Sequence, residues 1–217
     1  MKQTDSYKHQ GMRQSLVDTI KDKGITNELV LRAILKIPRH FFMESAFVEQ
    51  AYQDIAFPIG EGQTISQPYT VAFQSQLLDI RKGDKILEVG TGSGYQAAVL
   101  LELGANLYTI EQNKVLYQKT RKILPSFGYE PKFFLGDGTK GLLAYAPYDK
   151  IIVTAGAPVI PESLKKQLKI GGILVIPVGN DKSQTMLKIV RVSETEYTSE
   201  QHGMFAFVKL KGAEGWQ

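Results

Sequence analysis

The stretch Ile86-Leu87-Glu88-Val89-Gly90-Thr91-Gly92-Ser93-Gly94-Tyr95 leads from a short apolar run into three alternating glycines and then into a helical pattern. Such glycines turn the backbone tightly and keep a Cβ away from a ligand laid against the main chain of Gly90, Thr91, Gly92, Ser93 and Gly94. The spacing is GxGxG. A dinucleotide turn has GxGxxG, and its last glycine would fall on Tyr95, so a pyrophosphate cradle is a poor fit. Glu88, just ahead of the first glycine, adds an argument of sign. A carboxylate repels a pyrophosphate and attracts a sulfonium or an ammonium, which favours S-adenosylmethionine over NAD as the ligand.

Glu111 closes the next apolar segment, LYTIEQ, about 20 residues on, where a carboxylate in doubly wound nucleotide folds accepts both ribose hydroxyls. Gly136-Asp137-Gly138 follows the third apolar segment, and Asp137 is placed to accept from an adenine amine. Each of these has a bland alternative as a glycine-rich turn, a solvated strand-end acid or an Asp-Gly turn. Together they fall at the carboxyl ends of three successive strands, where open α/β sheets bind ligands, and that points to a nucleoside cofactor. After the fourth strand comes Thr154-Ala155-Gly156-Ala157-Pro158. Its small residues leave room for a main-chain-like substrate, or else serve close packing at a strand-to-helix turn.

The elements that must position these residues follow from periodicity. Apolar runs at Lys85–Val89, Asn106–Glu111, Lys132–Leu135, Lys150–Thr154 and Gly172–Pro177 alternate with helical stretches at Gly94–Leu103, Asn113–Phe127 and Pro161–Leu168, the pattern of a parallel sheet covered on both faces. Thr185–Val192 and His202–Leu210 alternate in the manner of strands and are expected to pair antiparallel at one side. The N-terminal residues read as helices, Gln14–Lys23 and a segment capped by Asn27 that ends before Pro38. Tyr52–Gln67 has the composition of a long functional loop, and Pro68 opens a helix through Leu78. The expected fold is α/β, a doubly wound, mostly parallel sheet with an N-terminal helical extension and antiparallel C-terminal strands. It forms one domain over 1–217, with a helical cap and active-site loop in 1–80 and a cofactor-binding core in 81–217.

A hydrophobic fraction of 43% with 22% charged residues fits an ordinary globular chain and argues against disorder. The longest apolar stretches are far shorter than a membrane span and the N-terminus has no apolar signal core, so a soluble, cytoplasmic protein is expected; a monomer is the expectation for its assembly, with no feature of the sequence that fixes it. There is no cysteine, and His9, His40 and His202 show no ligand spacing, so no metal is expected. The formal charge of +4 permits an acidic partner, but basic and acidic residues are interleaved, which makes nucleic acid an unfavoured partner still open to test.

The chain resembles the protein-L-isoaspartate O-methyltransferase family from about Asp18 to Trp216, through AFPIGEGQTISQPY from Ala56, ILEVGTGSGYQ from Ile86, Gly136–Gly138, YDKIIVTAGAP from Tyr148 and GGILVIPVG from Gly171. The resemblance implies methyl transfer from S-adenosylmethionine to the free carboxylate of L-isoaspartyl, or D-aspartyl, residues in damaged proteins and peptides. It implies Ser66 as the active-site residue and Thr64, Ile65, Ser66 and Gln67 as lining the cofactor and substrate cleft. Gly90, Ser93, Glu111, Gln112, Asp137 and Gly138 match the family's cofactor contacts. One departure is Phe207-Val208-Lys209-Leu210, where the family often has Phe-Val-Pro-Leu.

The substrate side falls to Thr64, Ser66, Thr154, Ala155, Ala157 and Pro158. A carboxylate is already ionised at neutral pH and needs no general base, so hydroxyl donors such as Thr64 and Ser66 suit the reaction. Ser66 has a second reading, as the N-cap of the helix that Pro68 opens. A methyltransferase for RNA or a small acid, and a cofactor-binding module without activity, are the alternatives to the repair reading.

Overall fold

The computed structural model describes residues 4–217. A seven-stranded sheet has the order β5-β4-β3-β6-β7-β8-β9. Its strands are β3 (Lys85–Val89), β4 (Asn106–Glu111), β5 (Lys132–Leu135), β6 (Tyr148–Val153), β7 (Leu168–Gly179), β8 (Gln184–Arg191) and β9 (Tyr197–Phe205). Neighbours from β5 to β7 are parallel, and β7–β8 and β8–β9 are antiparallel. Parallel pairs need crossover helices, which bury both faces of the strands. Accordingly β3 alternates Ile86 into one buried core with Leu107, Ile152 and Val175, and Leu87 and Val89 into another with Ile110, Ile151 and Val153.

The first core also takes the buried sides of α1 (Tyr7–Asp22), α2 (Glu28–Lys36), α3 (Pro68–Leu78), α4 (Tyr95–Glu102) and α5 (Lys114–Ser126). The second is thinner, and of the helices only the short α6 (Glu162–Lys166) contributes to it, through Leu164. Caps place the ends as the sequence implies. Asn27 and Asn113 each accept two backbone N–H groups at the starts of α2 and α5. The chain leaves β4 and β5 on one side of β3 and returns through β6 on the other, so the sheet order reverses between β3 and β6.

Three expectations are corrected. α1 begins at Tyr7 rather than Gln14, because Ser6 and His9 form a capping box ahead of it. The expected loop at Tyr52–Gln67 contains a hairpin, β1 (Phe57–Gly60) and β2 (Gln63–Ile65), whose turn places Gly60, Glu61 and Gly62 at positive φ. β9 ends at Phe205, and the chain then crosses back so that Gly156 N–H donates to Val208 and Leu210 N–H to Gly156, each at 2.8 Å. That pairing leaves the Lys209 N–H outside it, so a proline at this position costs no hydrogen bond.

Candidate active site

At the reversal, the loops after β3, β4 and β6 open into a cavity of about 300 Å³, within the range of small-molecule sites. The first turn owes its shape to glycine. Gly90 has φ +97° and a Cβ there would meet Thr154 Oγ1 at 2.5 Å; Gly94, at φ +86°, starts α4 where a Cβ would lie 2.7 Å from Thr120. Thr154 is held against this turn, with its hydroxyl donating to Gly90 O at 2.6 Å and near Val89 O at 3.0 Å. Glu111, 8% exposed, accepts from Gly92 N–H at 2.9 Å and Asn113 N–H at 2.8 Å, one at each carboxylate oxygen. Further lone pairs remain for a diol. Val89, Ile110 and Gly138 form the apolar side of the cavity.

A second, larger cleft of about 1180 Å³ lies between the start of α3 and the end of β9, with Tyr69, Phe73, His202 and Phe205 in its walls. Thr64, Ser66, Thr154 and Val208 line both cavities. The Ser66 hydroxyl is not the cap of α3, since Gln67 is the N-cap residue and makes no side-chain cap bond.

Among the expected site residues, Thr64, Ile65, Ser66, Gly90, Thr91, Gly92, Ser93, Glu111, Gln112, Gly138, Thr154 and Ala155 line the first cavity, and Gln67 lines the second. Ala157 and Pro158 line neither. Ala157 is fully buried and pairs with the end of β7, with its N–H donating to Pro177 O, which leaves the close-packing reading for this turn. Gly94 serves the helix start rather than the cavity wall.

Glu88 is also corrected, because it is 0% exposed and absent from the cavity wall. Thr109 donates to its Oε2 at 2.6 Å, Oε1 has no partner, and burial, opposed by the Thr109 bond and reinforced by Glu111, pushes its pKa up to about 8. A neutral buried acid makes no attraction of sign with a cationic ligand. Asp137 is engaged by the C-terminal segment: it accepts from Ala213 N–H and from Thr139 N–H and Oγ1. Burial works against ionisation there, but these donors hold its pKa below the usual value.

The sequence reading did not assign Glu61 and Gln63 on the hairpin, Asn113 after β4 or Lys211 on the returning tail to the site, and it marked Phe207 to Leu210 only as a departure from the family pattern. The capping position of Asn113 and the glycines around Glu61 were the signals for the first two; the tail carries none, since its place depends on a contact with Gly156 far away in sequence.

Residues 11–215 match the family model described as Protein-L-isoaspartate(D-aspartate) O-methyltransferase (PCMT). A protein-L-isoaspartate O-methyltransferase from Cytophaga hutchinsonii is 58% identical over 98% of this chain and 96% of its own length, and one from Christiangramia forsetii is 61% identical over 95% and 97%. A solved protein-L-isoaspartate O-methyltransferase superposes with a TM-score of 0.84 at 28% identity, covering 94% of this chain and 67% of that one. A structure from Plasmodium falciparum, titled as a putative member in complex with S-adenosyl-L-homocysteine, has a TM-score of 0.79 at 23% identity over 92% and 98%, and at that distance it supports the fold. With the sheet reversal, the glycine turn and nearly the full length matched, the chain belongs to the protein-L-isoaspartate(D-aspartate) O-methyltransferase family.

Proposed function

We propose that this protein transfers a methyl group from S-adenosylmethionine to the free carboxylate of L-isoaspartyl, and D-aspartyl, residues in damaged proteins and peptides, which initiates their repair. The observation that carries the reading is the junction of the two cavities at Thr64, Ser66, Thr154 and Val208. The smaller cavity fits the cofactor: Glu111 offers acceptors for a ribose diol, Val89 and Ile110 offer apolar contact to a base, and the glycine turn brings main-chain groups to the ligand. The larger cleft fits a stretch of polypeptide.

When bound, S-adenosylmethionine supplies a methyl group on a positively charged sulfur. The side chains shared by the two cavities are three hydroxyls and a valine. Thr64 and Ser66 orient the substrate carboxylate through hydroxyl donors, while Thr154 holds the glycine turn. An ionised carboxylate attacks without a base, and opposite charges cancel as the methyl moves, so a site that solvates the separated charges weakly favours transfer. Alignment of the two partners supplies several kcal/mol of the barrier.

In the same reading the enzyme is a cytoplasmic monomer acting on polypeptides rather than nucleic acid. Lys8, Lys23, Lys36, Lys165 and Lys169 each have a carboxylate partner within 4.0 Å, which breaks up the basic surface. No helix among the described residues is long and apolar enough to cross a membrane.

The test is transfer of labelled methyl to paired synthetic peptides that differ only in isoaspartate or aspartate. Base-labile label is expected in the isoaspartyl peptide alone, and Ser66→Ala is expected to keep cofactor affinity while losing about 100-fold or more in kcat. Label in both peptides or in neither refutes the substrate, and near-normal turnover by Ser66→Ala removes Ser66 from the reaction.

A further inference from the structure

Arg39 opens a 3-10 turn, Arg39–Phe42, just after α2, and its side chain is 0% exposed. No ion pair of the described residues includes it. Nη2 donates to two main-chain carbonyls, Ile55 and Ser66, at 3.1 Å each. Nη1 faces the Met43 sulfur at 4.0 Å, Nε has no partner, and the guanidinium lies 5.4 Å from the centre of the Tyr95 ring. Burial lowers its pKa to about 10, against the opposing influence of Tyr95 and Asp54, so the group keeps its charge at neutral pH.

A buried cation with no paired carboxylate is a costly way to fill space, and an apolar side chain of the same length would fill it at lower cost. What only the guanidinium provides is a bond to both ends of one segment. Ile55 and Ser66 flank the β1–β2 hairpin, which carries Thr64 and the rim residues Glu61 and Gln63. Asp54 holds the neighbouring chain from another side, accepting from Tyr69 N–H at 2.7 Å, Gln67 Nε2 at 3.1 Å and Lys23 Nζ at 2.6 Å. With its carbonyl tied, the Ser66 peptide is held beside the junction of the two cavities.

We propose that Arg39 is a positioning residue for methyl transfer, a clamp under the hairpin that fixes Ser66 through its main-chain carbonyl. The proposal rests on the active-site role of Ser66 argued above, and part of its test is independent of that role. Arg39→Met and Arg39→Lys are compared with the unaltered protein for melting temperature, S-adenosylmethionine affinity, kcat and KM for an isoaspartyl peptide, and amide exchange over residues 56–67. Arg39→Met is expected to fold and to bind cofactor nearly normally, with kcat lowered about tenfold or more and faster exchange confined to the hairpin. Arg39→Lys, which keeps a cationic donor, is expected to recover part of kcat.

A folded Arg39→Met with unaltered kcat and exchange overturns the proposal. If that variant does not fold, Arg39→Lys with exchange and kcat equal to those of the unaltered protein overturns it. Should the unaltered protein prove inactive on isoaspartyl peptides, the function fails, and the exchange measurement still decides whether the clamp exists.

Discussion

Glu88 and Glu111 end neighbouring strands and have opposite surroundings. Glu111 faces the cavity with backbone donors at both oxygens, whereas Glu88 is sealed beneath it against Thr109. The proton that Glu88 keeps up to about pH 8 is one the unfolded chain releases near 4.5. The folded state therefore binds more protons across that interval, and stability declines as pH rises from 4.5 through 8. Glu88→Gln removes this titration while keeping the shape. Its melting temperature is expected to exceed that of the unaltered protein by several degrees above about pH 8, with the two curves converging toward pH 5. Parallel curves across the range would assign the alkaline decline to another group. The residue types of this turn were legible in the sequence, but the facing of Glu88 was not. Strand alternation puts it on the same side as Ile86, and only the assembled sheet shows that this side is closed over.

The N-terminal helices form a buried polar network as well as an apolar face. Arg13 on α1 forks onto Asp5 at 3.0 and 2.9 Å and donates to the Tyr52 hydroxyl at 3.0 Å, which lies 2.7 Å from His40 Nδ1. The His9 and His40 rings are 4.0 Å apart. Burial, then the nearby His9, depresses the His40 pKa to about 4 from 6.5. The unfolded chain takes up that proton first, so this contribution to stability is present above pH 6.5 and is lost as pH falls toward 4. Amide exchange in α1 and α2 is expected to accelerate between pH 6.5 and 4 more than exchange in the central strands, and His40→Gln is expected to flatten that dependence. Equal acceleration in both places would mean that the cap does not respond on its own. α2 was legible because its Asn27 cap is local, α1 was read short because its Ser6–His9 box lies ahead of the apolar periodicity, and β3, β4 and β5 were legible as short, mostly apolar runs. The hairpin was hidden because Pro58 and the glycines give its short strands the composition of a loop. β9 was misplaced because its polar residues, Tyr197 to Glu200, form an exposed edge that apolar alternation cannot mark.

Across the whole molecule, the last residues complete the site that the sheet begins. After crossing to Gly156, the tail donates from Trp216 Nε1 to Gly156 O at 2.9 Å and from Ala213 N–H to Asp137 at 2.8 Å, while Glu214 accepts from Ser163. Lys209 lies 5.2 Å from the Trp216 ring centre and, with Leu210 and Lys211, walls the smaller cavity. Trp216→Ala loses this anchor and is expected to raise KM for S-adenosylmethionine about fivefold to tenfold, with a smaller change in KM for the peptide. Equal effects on the two, or none, would detach the tail from the cofactor. In the proposed reading, the larger cleft, bounded by α3 and the end of β9, takes the substrate as a stretch of extended chain. A compact target cannot present an interior residue to it without first opening. For large clients the pace of correction is then set by how often the client's own backbone breathes at the lesion, and damage in loops and termini is reached long before the same damage inside a helix.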